Sequence, residues 1–282
     1  MGYELARLLP AIGYVIALDF PEVDLAKPED LRRLIREVGP RIIVNAAAYT
    51  AVDQAEAEPE RAMAVNGAAP EVMAAEAKRL GAMLVHYSTD YVYDGSKNGP
   101  YVETDPPNPR NSYGRSKLAG DLAVLESNAP HFVFRTSWVY GSRGKNFLLT
   151  MLRLFGERSE VQVVDDQIGA PTWCRQIARA TVTALQPAAG GNDGFEQVTQ
   201  RSGLYHLTAG GSTSWFGFAS AIHASRFPAG GGPRLLPILT TDYPLPARRP
   251  MNSLLDNSQL ARVLGIAQVG WREQLAECLR EG

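Results

Sequence analysis

Cysteine and histidine are scarce in this 282-residue chain, and the spread of the few excludes whole classes of chemistry. The two cysteines, Cys174 and Cys278, stand far apart with no C-x-x-C spacing, which gives neither a disulfide framework nor a zinc site. The four histidines, His86, His131, His206 and His223, include no i, i+4 ligand pair; each reads as structural, and no metal site is expected. Excess charge of either sign is lacking too. The net charge is −2 and basic residues are interleaved with acidic ones, so no phosphate-tracking stripe for nucleic acid emerges. No apolar run approaches the length that crosses a bilayer, and the N-terminus has no basic segment followed by an apolar stretch and cleavage site. The expectation is a cytoplasmic protein without a membrane partner. Internal repeats and heptads are absent as well.

What is present is an ordinary globular balance, 45% hydrophobic and 21% charged, in a chain long enough for one large domain or two modest ones. The first two-thirds alternate short β-rich runs with helical patterns, which is how parallel α/β sheets are written. Strands are expected at residues 15–19, 42–47, 82–88 and 132–136, the second of them buried. Leu31, Leu34, Ile35 and Val38 give residues 29–38 a helical spacing. An alanine-rich helix divided at Pro70 is expected over 60–80, and another helix over 113–126. The predicted class is therefore α/β, a Rossmann-like doubly wound parallel sheet. Residues 186–203 and 228–233, rich in Gly, Pro and polar residues, read as surface loops. A helix over 215–227, a Pro-rich stretch at 243–250 and a terminal helix after Ser258 predict a smaller C-terminal lobe covering the cleft.

Ligands of such sheets sit at the carboxyl ends of the strands, so the residues following each apolar run carry the search for function. Tyr113 and Lys117 lie four apart in a helical segment, on one face. A neighbouring ammonium favours the phenolate, so Lys117 is expected to lower the Tyr113 pKa and make it a usable acid or base. Alone the spacing arises readily by chance in a chain with eleven tyrosines. Upstream, however, a strand ends in Ser88-Thr89-Asp90, which places hydroxyls where a substrate carbonyl oxygen can bind. The bland alternative is that these residues shape a turn. Asp19 closes a strand where a carboxylate can hold adenosine ribose hydroxyls, or is simply a turn aspartate. Asp24, next to Leu25, can flank an adenine ring or cap the following helix. Trp138 can stack on a base or sugar, or belong to the core. Arg248 and Arg249 can clamp a diphosphate, or be solvated. Asp165 and Asp166, adjacent on an extended segment, point to opposite faces and read as loop residues rather than an acid/base pair.

Seven segments in order carry a resemblance that covers nearly the whole chain. They are Asn45-Ala-Ala-Ala-Tyr-Thr-Ala-Val-Asp53, His86-Tyr-Ser-Thr-Asp-Tyr-Val-Tyr93, Tyr113-Gly-Arg-Ser-Lys117, Arg135-Thr-Ser-Trp-Val-Tyr140, Asp166-Gln-Ile-Gly-Ala-Pro-Thr172, Gly203-Leu-Tyr-His206 and Arg249-Pro-Met-Asn-Ser253. The chain resembles the sugar-nucleotide reductases of the extended short-chain dehydrogenase/reductase family. That resemblance implies reduction of the C4 ketone of dTDP-4-dehydro-β-L-rhamnose to dTDP-L-rhamnose by NADPH or NADH, the last step of dTDP-rhamnose biosynthesis. It implies Thr89, Tyr113 and Lys117 as the catalytic trio, with Lys117 also on the nicotinamide ribose. Gly2, Asp19, Asp24, Leu25, Ala48, Tyr49 and Thr50 would line the cofactor with Tyr113 and Lys117, while Thr89, Asp90, Trp138 and Arg249 would touch the dTDP-sugar. Residues 1–139 and about 170–208 would hold the dinucleotide, and about 140–169 and 209–282 the substrate. Some relatives use Mg²⁺, although no carboxylate cluster in the sequence calls for it, and a homodimer is one assembly open to such a chain. One departure stands out. The family opens with a strand and a G-x-x-G-x-x-G turn that binds pyrophosphate, and here Gly2 resembles only the last of those glycines. The first strand and most of that turn are therefore expected to lie upstream of Met1. Two rival readings stay open: a non-catalytic sugar-nucleotide-binding or regulatory homologue, and another sugar-nucleotide reductase or epimerase.

Overall fold

The computed structural model describes residues 1–281, and its organising element is the Met83–Thr89 strand, every residue of which is buried. Such a run lacks polar alternation because a strand covered on both faces has no wet side. It pairs in parallel with Ile42–Asn45 on one side and with His131–Thr136 on the other, which pairs in turn with Gly203–His206. Parallel neighbours require crossovers, and helices supply them: Pro59–Met63 and Ala69–Leu80 joined by a π turn, then Ser112–Glu126, then Cys174–Leu185. Pro70 lies in the first turn of Ala69–Leu80, where its missing N–H costs nothing, so it does not break the chain's helical course.

Alternate strand residues serve opposite cores. Met83, Val85, Tyr87, Phe132 and Phe134 pack with Ile177, Leu185 and Leu260. Leu84 and Val133 face the other way, onto Leu31, Ile35, Val72, Met73 and Val124. A third core, including Tyr140, Phe155, Trp173, Phe218, Ile222 and Trp271, lies under the later part of the chain. It is framed by the parallel strands Glu160–Val164 and Arg234–Ile238 and by the helices Phe147–Glu157, Trp215–Arg226 and Trp271–Glu281. No described helix is long and apolar enough to cross a membrane.

Four sequence expectations are corrected. Residues 15–19 are irregular chain rather than a strand, with Tyr14, Ile16, Leu18 and Phe20 exposed. A strand exists by backbone pairing, and Ile42–Asn45, the outer strand of the sheet, pairs with Met83–Thr89 and not with this segment. For the same reason Ile42, Ile43 and Val44 are half-buried instead of buried. The loop expected at 186–203 is a 3-10 turn, Gln186–Gly190, and a helix, Gly191–Thr199. Phe195 and Val198, three apart, anchor that helix on the first core, and Gly194 serves close packing, since a Cβ there would meet the Pro187 carbonyl. The terminal helix is two helices, Ser258–Leu264 and Trp271–Glu281.

Candidate active site

The Ser112–Glu126 helix starts where two of its backbone donors find side-chain partners. Asn111 Oδ1 accepts from the Gly114 N–H at 2.7 Å, and Glu56 Oε1 accepts from the Ser112 N–H at 2.6 Å. Asn111 Nδ2 meanwhile donates to the Arg248 carbonyl at 2.7 Å, which ties the C-terminal Pro-rich segment to this cap. A Cβ on Gly114 would collide with the Tyr91 carbonyl, so only glycine lets the helix lie directly on the Asp90–Val92 turn that follows Thr89. Strand end and helix start thereby bring Thr89 and Tyr113 together.

Thr89 Oγ1 donates to Asp90 Oδ1 at 3.0 Å and accepts from the Tyr91 N–H at 3.2 Å. The Tyr91 ring stands edge-on to Tyr113, centroids 5.5 Å apart. Loss of hydration holds the Tyr113 phenol above its ordinary value; the Thr89 hydroxyl beside it pulls the other way and the Asp90 charge adds to the rise. The expected lowering by Lys117 is absent. Spacing puts both residues on one helix face, but the ammonium points across to the sheet, donating to the Tyr87 carbonyl at 2.5 Å and lying 3.4 Å from His86 Nε2. Burial brings Lys117 itself down to about 8, with Asp121 opposing the fall. Asp90 is 3% exposed; burial raises its carboxyl to about 6 against the pull of the nearby Ser253 hydroxyl, and among the described residues its Oδ2 makes no well-formed hydrogen bond.

Ala48, Tyr49 and Thr50 follow the Ile42–Asn45 strand, and buried Asn66 fixes the middle one. Its Oδ1 accepts from the Tyr49 N–H at 2.9 Å, while Nδ2 donates to the Tyr49 carbonyl and to Ser116 Oγ, each at 3.0 Å. The loop is thus pinned to the helix that carries Tyr113 and Lys117. Asn66 was not singled out from sequence; a lone amide in an alanine-rich helix is the signal that marks it. Asp19 is exposed and accepts from its own neighbour's N–H at Phe20, 2.8 Å away. Asp24 accepts from the Ala26 N–H at 3.0 Å, and Leu25 is buried in the core with Leu31 and Ile35. Gly2 begins the Gly2–Leu8 helix, with open space where a Cβ would stand. Among the described residues none of these four hydrogen-bonds to Tyr113 or Lys117.

Of the residues expected to meet the sugar nucleotide, Trp138 has φ +49° and stacks on Trp215, centroids 3.6 Å apart and planes 8° from parallel. The Trp215 indole donates to Gln167 Oε1 at 3.2 Å. Trp215, a bulky residue opening an apolar helix, carried no sequence signal for this role. Arg249 donates to Asp53 Oδ2 at 2.6 Å and to the Tyr91 hydroxyl at 3.0 Å, which brings it to the Tyr91–Tyr113 pair. Asp165 and Asp166 are structural, accepting from Ser214 and Thr240 respectively. A dinucleotide's nicotinamide ribose needs donors for its hydroxyls, and a buried ammonium held by two uncharged partners, with a phenol and a hydroxyl at the same strand ends, fits that end of the molecule.

A hydroxyl meeting a phenol at the carboxyl end of a parallel Rossmann-like sheet, with a buried ammonium one helical turn on, defines a short-chain dehydrogenase/reductase type of site. The chain belongs to the family described as the RmlD substrate binding domain, whose model matches residues 1–282. It is 50% identical over 290 residues to the dTDP-4-dehydrorhamnose reductase of Burkholderia thailandensis, covering 100% of this chain and 95% of that one. To the enzyme of the same name from Escherichia coli it is 41% identical over 288 residues, covering 100% and 94%. The solved dTDP-4-dehydrorhamnose reductase of Bacillus anthracis, in complex with NADP, superposes with a TM-score of 0.89 at 35% identity, covering 100% of this chain and 95% of that chain.

Proposed function

We propose that this chain reduces the C4 ketone of dTDP-4-dehydro-β-L-rhamnose to dTDP-L-rhamnose, using NADPH or NADH. The observation that carries the reading is the meeting of Thr89 with Tyr113, with Lys117 one turn along the same helix, in a chain whose relatives over its full length are named for this reaction. The bound nicotinamide supplies hydride to the carbonyl carbon. Tyr113 protonates the resulting C4 oxyanion, and a phenol held above its ordinary value is a neutral donor at physiological pH, as reduction requires. Thr89, which now donates to Asp90, turns its hydroxyl to the same oxygen. Lys117 holds the nicotinamide ribose and, once near the phenol, stabilises the phenolate left behind. Ala48, Tyr49 and Thr50 line the cofactor with Gly2, Asp19, Asp24 and Leu25; Asp90 and Trp138 meet the sugar nucleotide, and Arg249 its diphosphate. Residues 1–139 and about 170–208 serve the dinucleotide, the remainder the substrate. The same reading makes the protein cytoplasmic and allows a homodimer. The test follows NADPH oxidation with dTDP-4-dehydrorhamnose. Tyr113→Phe is expected to lower kcat by roughly 10²–10⁴ with the fold intact by circular dichroism, and a variant that kept most of the rate would remove the proton-donor role.

A further inference from the structure

Behind Lys117 lies a set of buried charges that the steps above do not use. Lys117 is 2% exposed and Asp121, one turn later on the same helix, 0%. Asp121 Oδ2 accepts from Arg135 Nε at 3.0 Å, while Oδ1 stands 3.8 Å from His86 Nε2 and close to Ser88 without a well-formed hydrogen bond. Arg135 also donates to the Tyr93 hydroxyl at 2.8 Å, which lies 2.9 Å from His206 Nε2. The titratable groups set beside the Lys117 ammonium are thus His86 from the Met83–Thr89 strand and Asp121 from its own helix, with Arg135 of the His131–Thr136 strand standing behind Asp121.

An ammonium in such a place sheds its proton unless an anion compensates for lost water. His86 cannot compensate: burial and Lys117 hold it neutral, with Asn45 Nδ2 3.1 Å from its other ring nitrogen. Burial raises the Asp121 carboxyl, while Arg135 and then Lys117 favour its ionised form, and the ionised carboxylate opposes deprotonation of Lys117. The i, i+4 spacing on one helix keeps the two side chains on the same face. We propose that Asp121 is a positioning residue for the reduction, its charge keeping Lys117 protonated beneath the cofactor site and Arg135 keeping Asp121 ionised. The proposal rests on the role given to Lys117 above.

The ¹³Cε and ¹⁵Nζ resonances of Lys117, assigned by comparison with Lys117→Arg, report its protonation in the chain without cofactor. In the unaltered protein Lys117 is expected to be charged at pH 7; a neutral Lys117 there overturns the proposal without any variant having to fold. Asp121→Asn is expected to move its titration down by about one pH unit, a tenfold change in the charged population at a given pH above the midpoint. Asp121→Glu is expected to recover most of that shift, and the alkaline limb of kcat/KM is expected to follow it while the acid limb stays. Should Asp121→Asn not fold, Arg135→Gln is expected to lower the Lys117 midpoint as well, since without Arg135 the buried Asp121 carboxyl takes up a proton; a raised or unmoved midpoint there overturns the proposal. An unmoved midpoint in Asp121→Asn overturns the proposal. Lys117→Met that retained activity would instead remove the underlying role of Lys117, so the two failures are distinguishable.

Discussion

Asn66 holds both the N–H and the carbonyl of Tyr49 while bonding Ser116, fifty residues away in sequence. Alanine in its place leaves a buried hydroxyl and two backbone groups without that partner, and an unsatisfied buried polar group costs about 1–3 kcal/mol. Asn66→Ala is therefore expected to lower stability in urea by about 2 kcal/mol and, if the loop it frees lines the cofactor as proposed, to raise the KM for NADPH several-fold with a smaller change in kcat. Equal stability and equal KM would show that Tyr49 is held by other means. The contrast with Tyr113 says what a sequence displays at this scale. Thr89, Tyr113 and Lys117 were legible because each has reactive chemistry at the end of a recognisable run. Asn66, Asp53 and Trp215 act through partners far along the chain, and nothing local to them announces those partners. The direction in which Lys117 points is likewise invisible from a four-residue spacing, since it depends on the Tyr87 carbonyl supplied by the neighbouring strand.

Between elements, Glu76 joins the Ala69–Leu80 helix to Pro28–Val38. Its Oε1 accepts from Arg36 Nη2 at 2.7 Å, its Oε2 from Arg36 Nε at 2.9 Å and from Arg79 Nε at 2.7 Å. Those hydrogen bonds, Arg36 first, outweigh burial and hold the carboxyl at about 2, below its ordinary 4.5. A folded value below the unfolded one means that the stabilisation is complete above pH about 4.5 and is lost as the pH falls toward 2. Because Arg36 and Arg79 are half-exposed, solvent screening limits the effect to about 1 kcal/mol. Urea midpoints measured from pH 6 to pH 2.5 are expected to fall, and Glu76→Gln is expected to flatten that part of the curve; an unchanged slope would rule the pair out as a source of acid sensitivity. Elements such as these were readable where periodicity and burial agree, as in 28–38, 83–89 and 112–126. They failed where tertiary context decides. Residues 15–19 have a strand's composition without a paired neighbour, and 191–199 form a helix in which Gly194, needed for close packing, and Gly191, with φ +80°, resemble loop punctuation.

Across the whole molecule, the Pro-rich segment near the C-terminus returns to the sheet through Asp53. The Arg249 guanidinium donates to Asp53 Oδ2, and the Ala247 N–H donates to Asp53 Oδ1 at 3.2 Å. Since Arg249 also reaches Tyr91, and Tyr91 lies against Tyr113, this strap sets one wall of the site from 158 residues away. The two bonds at Asp53 are separable by charge. Asp53→Asn retains an oxygen for the Ala247 N–H but removes the anion, whereas Asp53→Ala removes both. An ion pair whose side chains are 21% and 35% exposed contributes no more than about 1 kcal/mol and is screened by salt. Amide exchange at Ala247 should therefore quicken with salt in the unaltered chain, by up to roughly fivefold at full screening. In Asp53→Asn it should be faster at the outset and insensitive to salt, and in Asp53→Ala faster still. Loosening the wall without touching the proton donor predicts a higher KM for the sugar nucleotide and a nearly unchanged kcat in Asp53→Asn. If exchange at Ala247 ignored both salt and the asparagine substitution, the strap would owe its position to the Asn111 bond at the Arg248 carbonyl, and Asn111→Ala would free it instead.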